Sequence, residues 1–351
     1  VDTGGSQHRP QIAVLGGSGF VGVPVCAALH EAGCEVVSVA RRANPAVRSV
    51  VADLVTLSAG DLADVLRTAL SRPDRPYVVV NAAGAVWQAT EAQMVRTNEV
   101  LVQTLCAAMA TLPGRGRLIQ LGTVYEYGVI PYGTSATEDT PARPVSPYGR
   151  TKLRATTAAL TAAGTGALDA TVLRVANVIG HDAPPGSLLS NVAAQLRQAL
   201  DLGTAAEIQV TPRDACRDFV DAQDVADAVL RAAAAPAALV NALVINVGGG
   251  AAIPVRALVR ALAEVAGVPT RIVESEARDH IRGSGLRWQQ VDIRRAARLL
   301  GWQPRRPVRG RMAALWSRTP SPAWATLDGS SSGQRESQHD DGRMPGRWRR
   351  A

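Results

Sequence analysis

Apolar residues come in short, uninterrupted runs through the first half of the chain. Q-I-A-V-L (11–15), C-E-V-V-S-V-A (34–40), S-V-V-A-D (49–53), Y-V-V-V-N (77–81) and R-L-I-Q-L-G (117–122) each read as a strand buried on both faces. Between them lie longer stretches with helical spacing: V-P-V-C-A-A-L-H-E-A-G after the first run, then segments around 61–70, 91–110 and 147–163. Strands of this kind alternating with helices predict an α/β fold, a doubly wound parallel sheet covered on both faces. A-T-V-L-R-V-A-N-V (170–178) adds a sixth strand.

Beyond residue 178 the pattern breaks into shorter pieces. G-H-D-A-P-P-G-S is a loop, followed by a helix near 188–200, a strand at 207–210 and a helix at 223–234. L-V-I-N-V (243–247) and helices near 254–266 and 292–300 complete it. The expected organisation is a flexible N-terminus (1–10), a dinucleotide-binding domain (11–178, with 215–247 returning to it) and a smaller C-terminal lobe. That lobe (179–214 and 248–316) folds over the carboxyl edge of the sheet and holds the substrate. The polar stretch from residue 317 to 351 reads as a disordered tail.

Composition changes this picture little. The 351 residues are 46% hydrophobic, enough for a substantial core, and no apolar run is long enough to span a bilayer. The first ten residues lack the apolar stretch of a secretory signal, so a cytoplasmic protein is expected. The net charge of +8 gathers in R-R-P-V-R-G-R and the final G-R-W-R-R-A rather than along one helix. That favours a solvated basic end over a specific nucleic-acid site. Cys26, Cys34, Cys106 and Cys216 are scattered without metal or redox spacing, so no metal is expected and the thiols read as reduced.

The candidate chemistry starts in G-G-S-G-F-V-G (16–22), between the first strand and the first helix. Gly16, Gly19 and Gly22, with Ser18, Phe20 and Val21 between them, allow a tight turn that brings backbone N–H groups to a pyrophosphate at a helix N-terminus. An NAD site usually places a carboxylate about twenty residues further on, to bond the ribose 2′-hydroxyl. Ala40 stands there instead, followed by Arg41 and Arg42, whose guanidiniums can pair with a 2′-phosphate. NADP(H) is therefore favoured over NAD(H). Asp53 and Leu54, after the third strand, would border the adenine. Ala82, Ala83 and Gly84, in N-A-A-G, would lie beside the middle of the cofactor.

Of 38 basic side chains only Lys152 is a lysine, and it stands four residues after Tyr148 on a predicted helix. That spacing puts both on one face. A nearby ammonium lowers a phenol's pKa from about 10 towards neutrality, making Tyr148 a usable acid or base. Lysine offers a compact charge with three donors, able to reach both the phenol and a ribose hydroxyl. Thr123, just after the fifth strand, can bond the same substrate oxygen. Asn98 is a candidate for a proton relay or a water site, or equally a helix asparagine bonded to backbone. Trp87 either lines a substrate pocket or sits in the core.

At G-G-S-G-F-V-G, D-L (53–54), T-V-Y-E-Y-G, S-P-Y-G-R-T-K, L-R-V-A-N-V-I-G, R-D-F-V-D-A-Q-D-V-A and D-I-R-R-A-A-R-L-L-G-W-Q-P the chain resembles the extended short-chain dehydrogenase/reductase family, the NAD-dependent epimerase/dehydratase group. The resemblance covers about residues 11 to 315. It implies a Rossmann-type fold, a Ser/Thr-Tyr-Lys group falling on Thr123, Tyr148 and Lys152, and a nucleotide-sugar substrate. It also places Asn177, Arg217 and, more weakly, Arg282 near that substrate's phosphates. The family's acid after the later arginine is absent from I-R-G-S-G-L.

The resemblance also leaves a homodimer through the helices of Asn98 and Tyr148 as an expectation. The arginines after the second strand tilt the reading to an NADPH-dependent ketoreductase of a nucleotide-linked 4-keto-6-deoxyhexose. The alternatives are an epimerase of the UDP-glucose 4-epimerase type and a non-enzymatic coenzyme sensor. A dehydratase usually carries acids just after the catalytic Thr, where this chain has Val124 and Tyr125, with Glu126 close by.

Overall fold

The computed structural model describes residues 10–72, 75–114, 116–210, 214–274 and 286–317. The flexible N-terminus expected over 1–10 and the tail expected from 317 fall almost wholly outside the described residues, as does Arg282. The chain runs β1 (Gln11–Leu15), α1 (Gly22–Glu31), β2 (Glu35–Ala40), β3 (Arg48–Val51), α2 (Ala59–Ala69) and β4 (Tyr77–Asn81). Next come α3 (Glu91–Met94), a π-helical turn (Val95–Val100), α4 (Leu101–Ala110), β5 (Arg117–Thr123), a 3₁₀ turn (Val124–Glu126), α5 (Pro147–Gly164) and β6 (Asp169–Val175).

β1 to β6 with β10 (Leu243–Val247) form one parallel sheet in the order β10-β6-β5-β4-β1-β2-β3. The order reverses between β1 and β4, the arrangement of a Rossmann-type doubly wound sheet. Alternation along β1 divides the core: Ile12 and Val14 join the cluster that includes Val25, Leu29 and Val229, while Ala13 and Leu15 join Leu62, Leu105 and Ala155 on the opposite face. β1, β2, β4 and β5 are buried on both faces, as their unbroken apolar runs predict. β3 departs from that expectation: it ends the sheet order, and its Arg48 and Val51 are exposed.

Where β6 was expected to continue to residue 178, it stops at Val175, and β7 (Asn177–Ile179) leaves for a second sheet. The remaining elements are α6 (Leu188–Asp201), β8 (Ala206–Val210), β9 (Cys216–Asp221), α7 (Ala222–Ala234) and α8 (Ala237–Val240). After β10 follow β11 (Ala252–Pro254), α9 (Val255–Ala266), β12 (Thr270–Glu274), β13 (Trp288–Gln289), α10 (Arg294–Leu300) and α11 (Met312–Ser317). β9 is the hub of the small sheet, paired with β7, β11 and β13. α6, β8, α9 and α11 bury a separate cluster around Leu196, Ile208 and Leu262. α7, by contrast, packs on α1 against the large sheet.

Candidate active site

The turn after β1 leaves no room for side chains. Gly16 has a φ of +76°, and a Cβ there would lie 2.7 Å from the backbone nitrogen of Ala83. A Cβ at Gly22 would lie 2.0 Å from the Gly16 carbonyl oxygen. Gly17, which the sequence motif did not single out, is as constrained: its Cβ would meet Ser38 Oγ at 2.6 Å, and its carbonyl accepts Asn44 Nδ2 at 2.9 Å. The result is a tight backbone turn at the mouth of α1, a helix N-terminus of the kind that favours an anion.

Beside this turn, over the carboxyl ends of the strands, opens a cavity of about 670 Å³. That lies within the roughly 300–1,000 Å³ typical of ligand sites. It brings together Gly19, Phe20, Val21, Arg41, Ala82, Ala83, Gly84, Trp87, Thr123, Tyr148, Lys152, Asn177 and Arg217. Gly16, Ser18, Gly22, Arg42, Asp53, Leu54 and Asn98 do not line it. Arg42 and Asp53 are exposed and Leu54 is buried in the core. Asn98 is buried in the π-helical turn, exchanging two hydrogen bonds with the backbone of Ala85 (2.8 and 2.9 Å) and donating to Thr151 Oγ1. It fixes the loop that carries Trp87.

Tyr148 and Lys152 stand on α5, which starts where the sequence signals it: Ser146 accepts from the Gly149 N–H at 3.1 Å, with Pro147 in the first turn. Lys152 is buried and its Nζ donates to the Leu121 carbonyl. Desolvation pushes its pKa down to about 8, and the charge of Glu126 opposes the fall. The ring of Tyr125 meets that of Tyr148 edge-on at 6.0 Å. Tyr125, part of the T-V-Y-E-Y-G motif but not singled out as a site residue, also lines the cavity.

The phenol of Tyr125 donates to Asn177 Oδ1 (3.0 Å), while Asn177 Nδ2 donates to the Asp218 carbonyl (2.8 Å) and Gln289 Oε1 (2.6 Å). Both amide hydrogens of Asn177 therefore tie β7 to β9 and β13. Arg217 is buried on the cavity wall and its guanidinium donates to the Cys216 carbonyl. Asp221, on the same strand, pairs with Arg311 at 2.7 Å. Among the described residues the charged groups lining the cavity are Arg41, Lys152 and Arg217, without a carboxylate. Such a wall selects an anionic ligand.

Asp218 is fully buried and accepts backbone N–H groups from Gly249 (2.6 Å), Gly250 (3.2 Å) and Val291 (3.2 Å). Burial raises its carboxyl to about 7 despite those donors. Because the folded chain then binds its proton more tightly than the unfolded chain, this group withdraws stability as pH rises from about 4 to about 7. Asp218→Asn turns an amide towards those N–H donors. It is expected to lower the unfolding free energy by about 1–3 kcal/mol in a denaturant titration and to abolish that contribution to the pH dependence.

The sequence from residue 12 to 248 matches the model of the NAD dependent epimerase/dehydratase family. A dTDP-6-deoxy-L-talose 4-dehydrogenase (NAD(P)(+)) of Kitasatospora kifunensis is 45% identical over 309 residues, covering 88% of this chain and 95% of that protein. A UDP-glucose 4-epimerase of Azospirillum brasilense is 29% identical over 274 residues, covering 74% of this chain and 78% of its own. Among solved structures, MoeE5 in complex with UDP-glucuronic acid and NAD superposes with a TM-score of 0.74 at 27% identity, covering 88% and 98% of the two chains.

Proposed function

The chain belongs to the NAD-dependent epimerase/dehydratase family, NAD(P)-dependent enzymes of the extended short-chain dehydrogenase/reductase type, and within it we propose an NADPH-dependent ketoreductase of a nucleotide-activated 4-keto-6-deoxyhexose. The observation that carries this reading is the cavity wall. Thr123, Tyr148 and Lys152 share it with Arg41 and Arg217, and it presents no carboxylate among the described residues. A dehydratase needs an acid or base there. Glu126, the nearest candidate, is fully buried and bonded to Thr123, Thr156 and Arg174.

Ala82, Ala83 and Gly84 would lie along a reduced nicotinamide coenzyme, which would supply the hydride to the keto carbon. In this reading Tyr148 gives its phenolic proton to the resulting alkoxide, and Lys152, held on the Leu121 carbonyl, stabilises the phenolate left behind. The Thr123 hydroxyl donates to the same oxygen and fixes its direction. Arg217 meets the sugar nucleotide's diphosphate, since the amide of Asn177 is committed to β9 and β13. Tyr125 and Trp87 offer apolar surface suited to the methyl group of a 6-deoxysugar. The relative from Kitasatospora kifunensis is described as a dehydrogenase at the 4-position of a dTDP-6-deoxysugar, which in reverse is this reduction.

The test is the near-ultraviolet absorbance of NADPH mixed with protein and a dTDP-4-keto-6-deoxyhexose. Stoichiometric consumption is expected. Interconversion of UDP-glucose and UDP-galactose with no net change in coenzyme would replace this reading with the epimerase one, which the Azospirillum brasilense relative favours.

Coenzyme choice gives a second expected result. Arg41 is exposed at the end of β2 and lines the cavity, whereas Arg42 does not. A charge-assisted bond to a 2′-phosphate contributes about 1.5–3 kcal/mol. Arg41→Ala should therefore lower kcat/KM for NADPH by about 10- to 100-fold with little change for NADH, and Arg42→Ala should leave both near wild type. Equal losses with the two coenzymes would place Arg41 away from the 2′-phosphate.

A further inference from the structure

Glu126 has no surface exposure, yet its carboxylate is the meeting point of three elements. Oε1 accepts the backbone N–H of Thr123 at the end of β5 (2.8 Å). Oε2 accepts the hydroxyl of Thr156 from α5 (2.9 Å) and Nε of Arg174 from β6 (2.8 Å). The guanidinium of Arg174 is itself buried and lies 4.6 Å from the centroid of the Tyr127 ring. Gly122 makes space for this carboxylate, because a Cβ there would come within 2.6 Å of Oε1.

We propose that Glu126 is a positioning residue for the catalytic group: clamped by Arg174 and Thr156, it orients Thr123 through its backbone N–H and holds Lys152 in its ammonium form. This rests on the reading of Thr123, Tyr148 and Lys152 as that group.

Two features carry the argument. Glu126 is bonded to the residue whose hydroxyl steadies the substrate oxygen, so tilting the carboxylate tilts Thr123. Lys152 stands one helical turn before Thr156, which donates to Glu126, and donates to Leu121, two residues before the Thr123 N–H that Glu126 accepts. Burial pushes the Glu126 carboxyl up, opposed by Arg174 and the Thr123 N–H, and the charge they hold on it raises the proton affinity of Lys152 where desolvation lowers it. The remaining charges around α5 are spent elsewhere. Arg150 pairs with Glu91 (3.9 Å) and Arg154 with Glu99 (3.0 Å) on the solvent side, and Arg96 is exposed on the π-helical turn. On β5, Arg117 donates to the carbonyls that end α7. On β6, Arg174 is committed to Glu126, and Tyr148 is the other titratable group on the same face of α5. Glu126 is therefore the carboxylate available to Lys152 among the described residues.

Lys152 is the only lysine in the chain, so selective isotope labelling of lysine gives one side-chain resonance to titrate, without substrate or coenzyme. In the wild type it should titrate at about 8. In Glu126→Gln it should titrate below the wild-type value, and the alkaline limb of kcat should move down with it, with KM little changed. The single substitution leaves the Arg174 guanidinium buried without its partner, so Glu126→Gln/Arg174→Met is made alongside, removing both charges together. A lysine that titrates at the wild-type pH in either folded variant, or at its ordinary value of about 10.4 in the wild type, overturns the proposal. Because the titration needs no sugar, that result is separable from failure of the ketoreductase assay.

Discussion

Tyr148→Phe should reduce turnover by about 10²- to 10⁴-fold, the range that a positioned general acid contributes, while leaving coenzyme binding and fold intact. The substitution is unusually clean at this place. The ring of Tyr148 packs against the core that contains Val175 and Tyr127, and meets Tyr125 edge-on. Phenylalanine keeps that packing and deletes only the hydroxyl. Thr123 and Lys152 stay in position, because neither the bond of Lys152 to the Leu121 carbonyl nor the grip of Glu126 on Thr123 passes through the phenol. The loss should fall on kcat, since a proton needed only as charge develops on the substrate oxygen contributes little to ground-state binding. Steady-state rates on the keto-sugar nucleotide, with coenzyme affinity measured by quenching of protein fluorescence, separate the two. Near-normal turnover in the folded variant would remove Tyr148 from the chemistry, and with it the reason for a lone lysine one helical turn away.

The parts of the molecule that could be read in advance share a physical property. β1, β2, β4 and β5 are buried on both faces, so burial shows in the residues themselves as unbroken apolar runs. The Tyr148/Lys152 pair was legible because its spacing is local to one helix and its lysine unique. β9 was not legible. C-R-D-F-V-D reads as a mixed polar segment, yet all six of its residues are buried, its aspartates satisfied by the N–H groups of Gly249, Gly250 and Val291 and by Arg311. A polar residue whose partner arrives from 31 to 90 positions away carries no mark of that partner in its own neighbourhood.

Glu126 and Arg174 fail to announce themselves for the same reason. Each looks like an ordinary charge, and 48 positions separate the two ends of their bond. The π-helical turn around Asn98 has a different cause. It depends on the side chain finding the backbone of Ala85, which hydrophobic periodicity does not record. The sequence thus displays apolar burial directly and conceals polar burial, and in this protein the polar burial surrounds the catalytic candidates.

Gly22→Ala should weaken coenzyme binding by about 100-fold with the fold retained. The added methyl would sit 2.0 Å from the Gly16 carbonyl oxygen and 2.8 Å from the Gly17 Cα. These are backbone atoms, so no rotamer change relieves the contact. The turn or the start of α1 must shift. Neither can move freely: Gly16 is pinned against Ala83, and Gly17 against Ser38 and Asn44. Overpacking of a rigid site costs about 1–3 kcal/mol. Relief comes most easily by displacing the first turn of α1, whose N–H groups would meet the pyrophosphate in the proposed function. At about 1.4 kcal/mol per tenfold change in affinity, the upper part of that range gives the expected loss. Gly60→Ala is the matched control. It adds the same methyl in the first turn of α2, where the nearest atom is Ser58 Oγ at 3.7 Å. There the fold should be unchanged or stabilised by about 0.4–1 kcal/mol through the unfolded chain. Titration of both variants with NADPH and NADH reads the difference. Unaltered affinity in Gly22→Ala would mean that the coenzyme's pyrophosphate does not rest on this turn.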